Sequence, residues 1–120
     1  MSRKKQDVIF ASAARTATSS ANFGCRATEG LFFIHCSAYT ATGSVVFTIL
    51  GESPSGVTYT ILASAAIVGT GLTVLRVSPQ LTASANTIAK DLLPSNIKVT
   101  ATHANGVSLT YSVYFDGQDD

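Results

Sequence analysis

Charge is what this sequence has least of. Asp, Glu, Lys and Arg make up 12% of its 120 residues, about half the usual share, and the other polar residues are largely Ser, Thr and Asn. A surface so poor in charge has few means of keeping a large free area soluble. Either part of it is covered, by a partner or by copies of itself, or the chain is a small Thr-rich sandwich that is poorly charged for no such reason. The net charge of +1 excludes a strong field over the whole domain of the kind that draws proteins to nucleic acid or anionic membrane. What charge there is gathers at the ends, with Arg3, Lys4 and Lys5 at the start and Asp116, Asp119 and Asp120 at the finish.

Cysteine is scarce too. Cys25 and Cys36 are the only two, too few for a disulfide framework and the wrong number for a self-contained zinc site. Cys36 shares its strand parity with Phe32, Ile34 and Ala38, so it is expected to point inward as a small hydrophobe. Two readings stay open: a pair of free thiols, or a Cys25–Cys36 bridge or an intermolecular bond from Cys25, either of which needs an oxidising setting. No run approaches the 18 or so apolar residues of a membrane-spanning helix. Arg3-Lys4-Lys5 followed by Val8 to Ala13 imitates a signal peptide, but the apolar stretch is short and Gln6 and Asp7 interrupt its approach. Residues 1–22 are therefore read as a basic N-terminal arm with a first strand, residues 23–116 as the folded domain, and residues 117–120 as an acidic tail.

The groups that would carry catalysis are few. His35 is expected on the strand face of Leu31, Phe33 and Tyr39, and His103 at a strand end beside a turn. Neither has a second His, Cys or carboxylate at ligand spacing. The carboxylates Asp7, Glu29, Glu52, Asp91 and Asp116 form no close pair, and Asp119-Asp120 reads as a solvated tail. Gly69-x-Gly71 precedes a strand rather than a helix, so no backbone-amide cradle for phosphate is expected. No Ser lies in a Gly-x-Ser-x-Gly elbow. The chain is expected to be no enzyme, with no metal and no cofactor. Trp is absent, and with it the commonest platform for sugar. Tyr114 falls on the polar side of its strand, which makes it the best single candidate for an exposed contact residue.

What the sequence has in abundance is β-signal. Residues 44–62 read as two strands around a turn of Gly51 to Gly56; Val57, Tyr59 and Ile61 alternate with Thr58 and Thr60, which assigns one face to apolar residues and the other to hydroxyls. The connection is longer than the commonest two-residue turn, so Glu52, Ser53, Pro54 and Ser55 are expected to be exposed. Leu31 to Tyr39 is apolar on both faces, the mark of a central strand. Leu72 to Val77 is a strand that Pro79 stops. Ala85, Ile88, Ala89 and Leu92 fall at helical spacing, which allows at most a short helical turn within a crossing connection at 80–93. Ile97, Val99 and Ala101, then Asn105-Gly106, then Val107, Leu109, Tyr111, Val113 and Phe115 read as a hairpin with a type I′ turn. The architecture that follows is all-β: an antiparallel sandwich, jelly-roll or immunoglobulin-like, of about seven to eight strands.

The runs Gly51 to Ile67, Gly71 to Pro79, Leu93-Pro94, Ile97 to Ala104 and Ser108 to Val113, with Ala14 to Ala17 earlier, resemble a family of small structural proteins of tailed bacteriophages. The resemblance covers nearly the whole chain from about residue 8 and rests on the order and spacing of short motifs. It departs from the family pattern at Ser53-Pro54, where an Asp-Pro is common, and at Ile97, where a Trp is. It implies a virion component that decorates and cements the outer head surface, binding the major capsid protein or other virion proteins, as a homo-oligomer. A trimer would suit capsid threefold positions, a number that comes from the class. Contact with capsid or neighbouring subunits is expected from Arg3, Lys4, Lys5, Glu52, Ser53, Pro54, Ser55 and Tyr114. A tail, connector or fibre component and a glycan-binding module are the alternatives.

Overall fold

Nine strands carry the chain, and the computed structural model describes residues 3–25 and 27–119 of it. In chain order they are β1 (Arg3–Arg15), β2 (Ser19–Gly24), β3 (Glu29–Tyr39), β4 (Val45–Glu52), β5 (Thr58–Ala63), β6 (Gly71–Val77), β7 (Ile88–Ala89), β8 (Asn96–His103) and β9 (Leu109–Asp119). They form a five-stranded sheet in the order β1-β9-β3-β6-β7 and a four-stranded sheet in the order β2-β8-β4-β5. The β-sandwich read from the sequence is what the chain adopts, and no helix occurs among the described residues.

The alternation within each strand fills the space between the sheets. Phe32, Ile34 and Cys36 of β3, Leu75 and Val77 of β6, and Tyr111, Val113 and Phe115 of β9 are buried from one side. Val45, Phe47 and Ile49 of β4 and Ile97, Val99 and Ala101 of β8 are buried from the other. Tyr111 meets Phe47 edge-on, with ring centroids 5.0 Å apart, and Phe32 lies against Phe115 at 4.9 Å. Each such fully buried large side chain contributes about 1.5–3 kcal/mol. Gly30 and Gly117 are register partners, and a Cβ on either would fall within 2.5 Å of the Phe115 ring. Bare backbone on both strands is what lets that ring lie flat across them.

Several local expectations give way to long-range pairing. The Asn105-Gly106 turn does not close a hairpin, because β8 is flanked by β2 and β4 while β9 is flanked by β1 and β3. Every lateral position is taken, so residues 104–108 carry the chain from one sheet to the other. Neither Asn105 nor Gly106 has positive φ; Asn105 instead accepts from the Val107 amide through Oδ1 and donates from Nδ2 to the Thr42 carbonyl. Among the described non-glycine residues positive φ occurs at Thr42, in the turn before β4, and at Asn86. Residues 80–93 hold no helix and, within the expected limit, a single turn in which the Thr87 and Ile88 amides both donate to the Ser84 carbonyl. Ser84 and Ile88 exchange backbone hydrogen bonds, and β7 lies parallel to β6, so Ile88 and Ala89 extend the sheet while Leu92 stays exposed.

The ends also differ from expectation. Residues 3–15, expected as a basic arm leading into a first strand, are strand from Arg3 onward, an edge strand paired along β9 and bent by two bulges; Phe10 anchors it in the core. Residues 117–119, expected as tail, continue β9. In the 44–62 hairpin both strands form as read, but a bulge opposite Ile49 and Leu50 transfers the buried position from Ile61 to Leu62. Val57 and Tyr59 therefore extend past the core and are exposed.

Candidate interaction surface

The outer side of the five-stranded sheet is mixed, with one apolar row across its middle. Register places Val8 beside Tyr114, Tyr114 beside Phe33, and Phe33 beside Val74, one row crossing β1, β9, β3 and β6. The neighbouring row is Gln6, Asp116, Leu31 and Arg76, and on the other side His35 pairs with Leu72. Val8 is 59% exposed, Leu72 61% and Tyr114 47%, values far above those of core residues. A shallow depression lined by Val8, Phe33 and Tyr114 marks the centre. The apolar outer side of β3, read from the sequence as the sign of a covered strand, is thus left open by this chain's own elements.

The face spans four strands at about 4.8 Å spacing and three rows along them, roughly 400 Å². Gln6, Asp116 and Arg76 on one side and Ser112 and His35 on the other are polar, so its apolar part is the central row with Leu31 and Leu72 beside it, and exposed apolar residues gathered in this way are characteristic of an interaction surface.

The expected contact residues do not converge. Tyr114 faces outward, as its strand parity indicated, but in the middle of an apolar row. Arg3, Lys4 and Lys5 pair with Asp119, Gln118 and Gly117 at the start of β1; only their backbone is described, so the expected role of their side chains lies outside the described residues. Glu52 ends β4 and Ser53 to Ser55 form a tight loop. There the Gly56 amide donates to the Ser53 carbonyl, the Val57 amide to Ser53 Oγ, and Gly56 takes φ +89°. That loop belongs to the four-stranded sheet, away from Tyr114. Val8, Phe33, Leu72 and Val74 were missed because only the register of non-adjacent strands assembles them.

Cys25 and Cys36 are both buried and are not joined to each other, which corrects the expectation of a bridge between them. Ala27, two residues after Cys25, lies against Gly117, whereas Cys36 pairs with Tyr111. Six residues of β9 separate those positions, about 20 Å, far beyond disulfide reach. Burial raises the Cys36 thiol above its ordinary range, against a weaker lowering by its hydrogen bond to the Ala38 carbonyl.

A concentrated polar cluster at the end of β1 is structural. Arg15 donates to the carbonyls of Tyr111 at 2.8 Å, Ala13 and Ala11, with its guanidinium over the rings of Phe10 and Tyr111. It fastens the end of β1 to β9. The Tyr111 hydroxyl is 2.8 Å from His103 Nε2, while the buried His103 Nδ1 has no hydrogen-bond partner. Burial, and secondarily the charge of Arg15, lowers the His103 imidazole below its ordinary range. Among the described residues no group of three or more His, Cys, Asp or Glu is arranged to hold a metal ion. An open cleft of about 320 Å³ lined by Glu29, Arg76, Ser78 and Asp116 holds a Ser78 hydroxyl donating to Glu29 at 3.2 Å, without a histidine to complete a nucleophile and base.

No protein-family model matches the chain, and no curated protein sequence does. Solved structures do match in fold. T=1 particles derived from infectious bursal disease virus contain a chain that superposes with TM-score 0.58 at 13% identity over 98% of this chain and 32% of that one. The Gx strain of the same virus gives 0.57 at 11% identity over 99% and 33%, and its VP2 subviral particle 0.56 at 14% over 98% and 32%. This chain therefore spans about a third of the length of the viral chains it matches, and the likeness is one of fold.

Proposed function

We propose that this protein is a structural component of a virion, and specifically a decoration protein that lies on the outer head surface of a tailed bacteriophage and cements its shell. The observation that carries this reading is the open apolar face around Tyr114 and Phe33, on a sandwich whose fold recurs in chains that build viral particles. Such a protein works by adhesion. Apolar area withdrawn from water contributes about 25 cal/mol per Å², so the apolar part of a face of roughly 400 Å² is weak for one copy and strong when symmetry repeats it. No catalysis, metal or cofactor enters this role. The partners are the major capsid protein, other virion proteins and further copies of this chain, and the place is the virion.

Two measurements test it. Quantitative mass spectrometry of purified virions is expected to give hundreds of copies per particle, and a handful would assign the protein to tail, connector or fibre instead. Mature heads lacking the protein are expected to bind it saturably and to gain resistance to heat or low salt; no binding would refute the head-surface role. A glycan array with sugar-dependent signal lost in Tyr114→Ala would replace both with a glycan-binding role.

A further inference from the structure

The composition of the open face points to its occupant. Read across the strands, the central row is Val8, Tyr114, Phe33, Val74: valine, aromatic, aromatic, valine, the same in both directions. A two-fold interface joins one patch to itself, so it requires self-complementarity. A two-fold axis running along the strands midway between β9 and β3 would lay β1 over the partner copy's β6 and β9 over its β3. Val8 then meets the other copy's Val74, and Tyr114 the other copy's Phe33, an aromatic pair of the kind that adds to area burial.

The flanking row has the charge pattern that the same axis needs. Asp116 lies on β9 and Arg76 on β6, with Leu31 between them. The operation seats each Arg76 over Gln6 of the other copy, one strand from that copy's Asp116. Two long guanidinium arms thus reach two carboxylates, one at each side of the dimer. Within one copy Arg76 and Asp116 also line a cleft with Glu29; across the axis Arg76 gains the other copy's Asp116 as a further carboxylate. Two twisted sheets packed face to face at the usual angle of about 30° keep such an axis.

We infer that the outer face of the five-stranded sheet is an isologous interface between two copies of this chain. The inference stands on the face alone and holds whether or not the protein is a virion component. With roughly 400 Å² from each copy, about half that of a standard stable complex, the dimer is weak in free solution and is reinforced where copies are held in an array.

Sedimentation equilibrium of the full chain, taken up to millimolar concentration, is expected to show monomer passing to dimer. Phe33→Glu is expected to remain monomeric throughout, and Val8→Lys, on the edge strand and 59% exposed, to do the same if Phe33→Glu fails to fold. Arg76→Glu is expected to weaken the dimer at least about tenfold, and Arg76→Glu combined with Asp116→Arg to restore it, because the swap recreates each cross-pair. A monomer at every concentration, a trimer, or a dimer indifferent to these substitutions would overturn the inference. Binding of the monomeric protein to heads would then leave the virion role standing with a different occupant on this face.

Discussion

The two outer faces of the sandwich are built from the same strand geometry and differ most in the chemistry of their central rows. Over the four-stranded sheet, the rows read Ser20, Thr100, Thr48 and then Asn22, Lys98, Leu50, Thr60, with Ser20 and Thr100 hydroxyls 3.0 Å apart. Over the five-stranded sheet, the corresponding row is Val8, Tyr114, Phe33, Val74. Hydroxyl-bearing β-branched residues satisfy a strand and water together, so the first face is complete as it stands. The second withdraws nothing from water until something covers it. The low overall charge thus has two sources in one molecule: a Thr-rich face, and an apolar row that the proposed contact would cover.

The largest effect is expected beneath both faces. Phe47→Ala removes a ring that is fully buried and edge-on to Tyr111, at a cost of about 3–5 kcal/mol. Urea unfolding would read it as a large fall in midpoint, with both faces lost together. Making the apolar face resemble its counterpart comes next. The triple change Val8→Thr, Phe33→Thr and Val74→Thr is expected to abolish concentration-dependent association in sedimentation while leaving a cooperative thermal transition. Changing Thr48 and Thr100 to Val is expected to create a new tendency to associate through the other face.

A smaller effect depends on pH. His103 is held neutral by its surroundings, so its native pKa lies below the 6.5 of the free side chain. The unfolded chain then binds the proton first, and stability from this group is complete above about pH 6.5 and falls as pH drops through the window below it. Thermal unfolding across that window is expected to show the loss, and His103→Gln to flatten it. The smallest effect is Ser20→Ala, at most about 0.5 kcal/mol in the same assay, since an exposed hydroxyl pair exchanges freely with water.

Much of the sandwich was legible because alternation is local. Leu109, Tyr111, Val113 and Phe115 are buried as their spacing indicated, and Tyr114 faces out. What failed was inference from local signals to partners. Asn105-Gly106 has the composition of a tight hairpin, yet the strands on either side are each claimed by two others. Arg3, Lys4 and Lys5 have the composition of a loose arm, yet Phe10 and Arg15 secure the strand that contains them. Charged residues on an edge strand are also a common guard against unwanted pairing. The interaction surface was legible at one residue only, because Val8, Phe33 and Val74 become neighbours through pairings between distant parts of the chain.

Hydroxyl-radical footprinting of free protein and of assembled particles compares the faces in place. The account predicts that Phe33 and Tyr114 lose most of their labelling on assembly while exposed Tyr59 keeps its own. Equal labelling of Phe33 and Tyr114 in both states would contradict it.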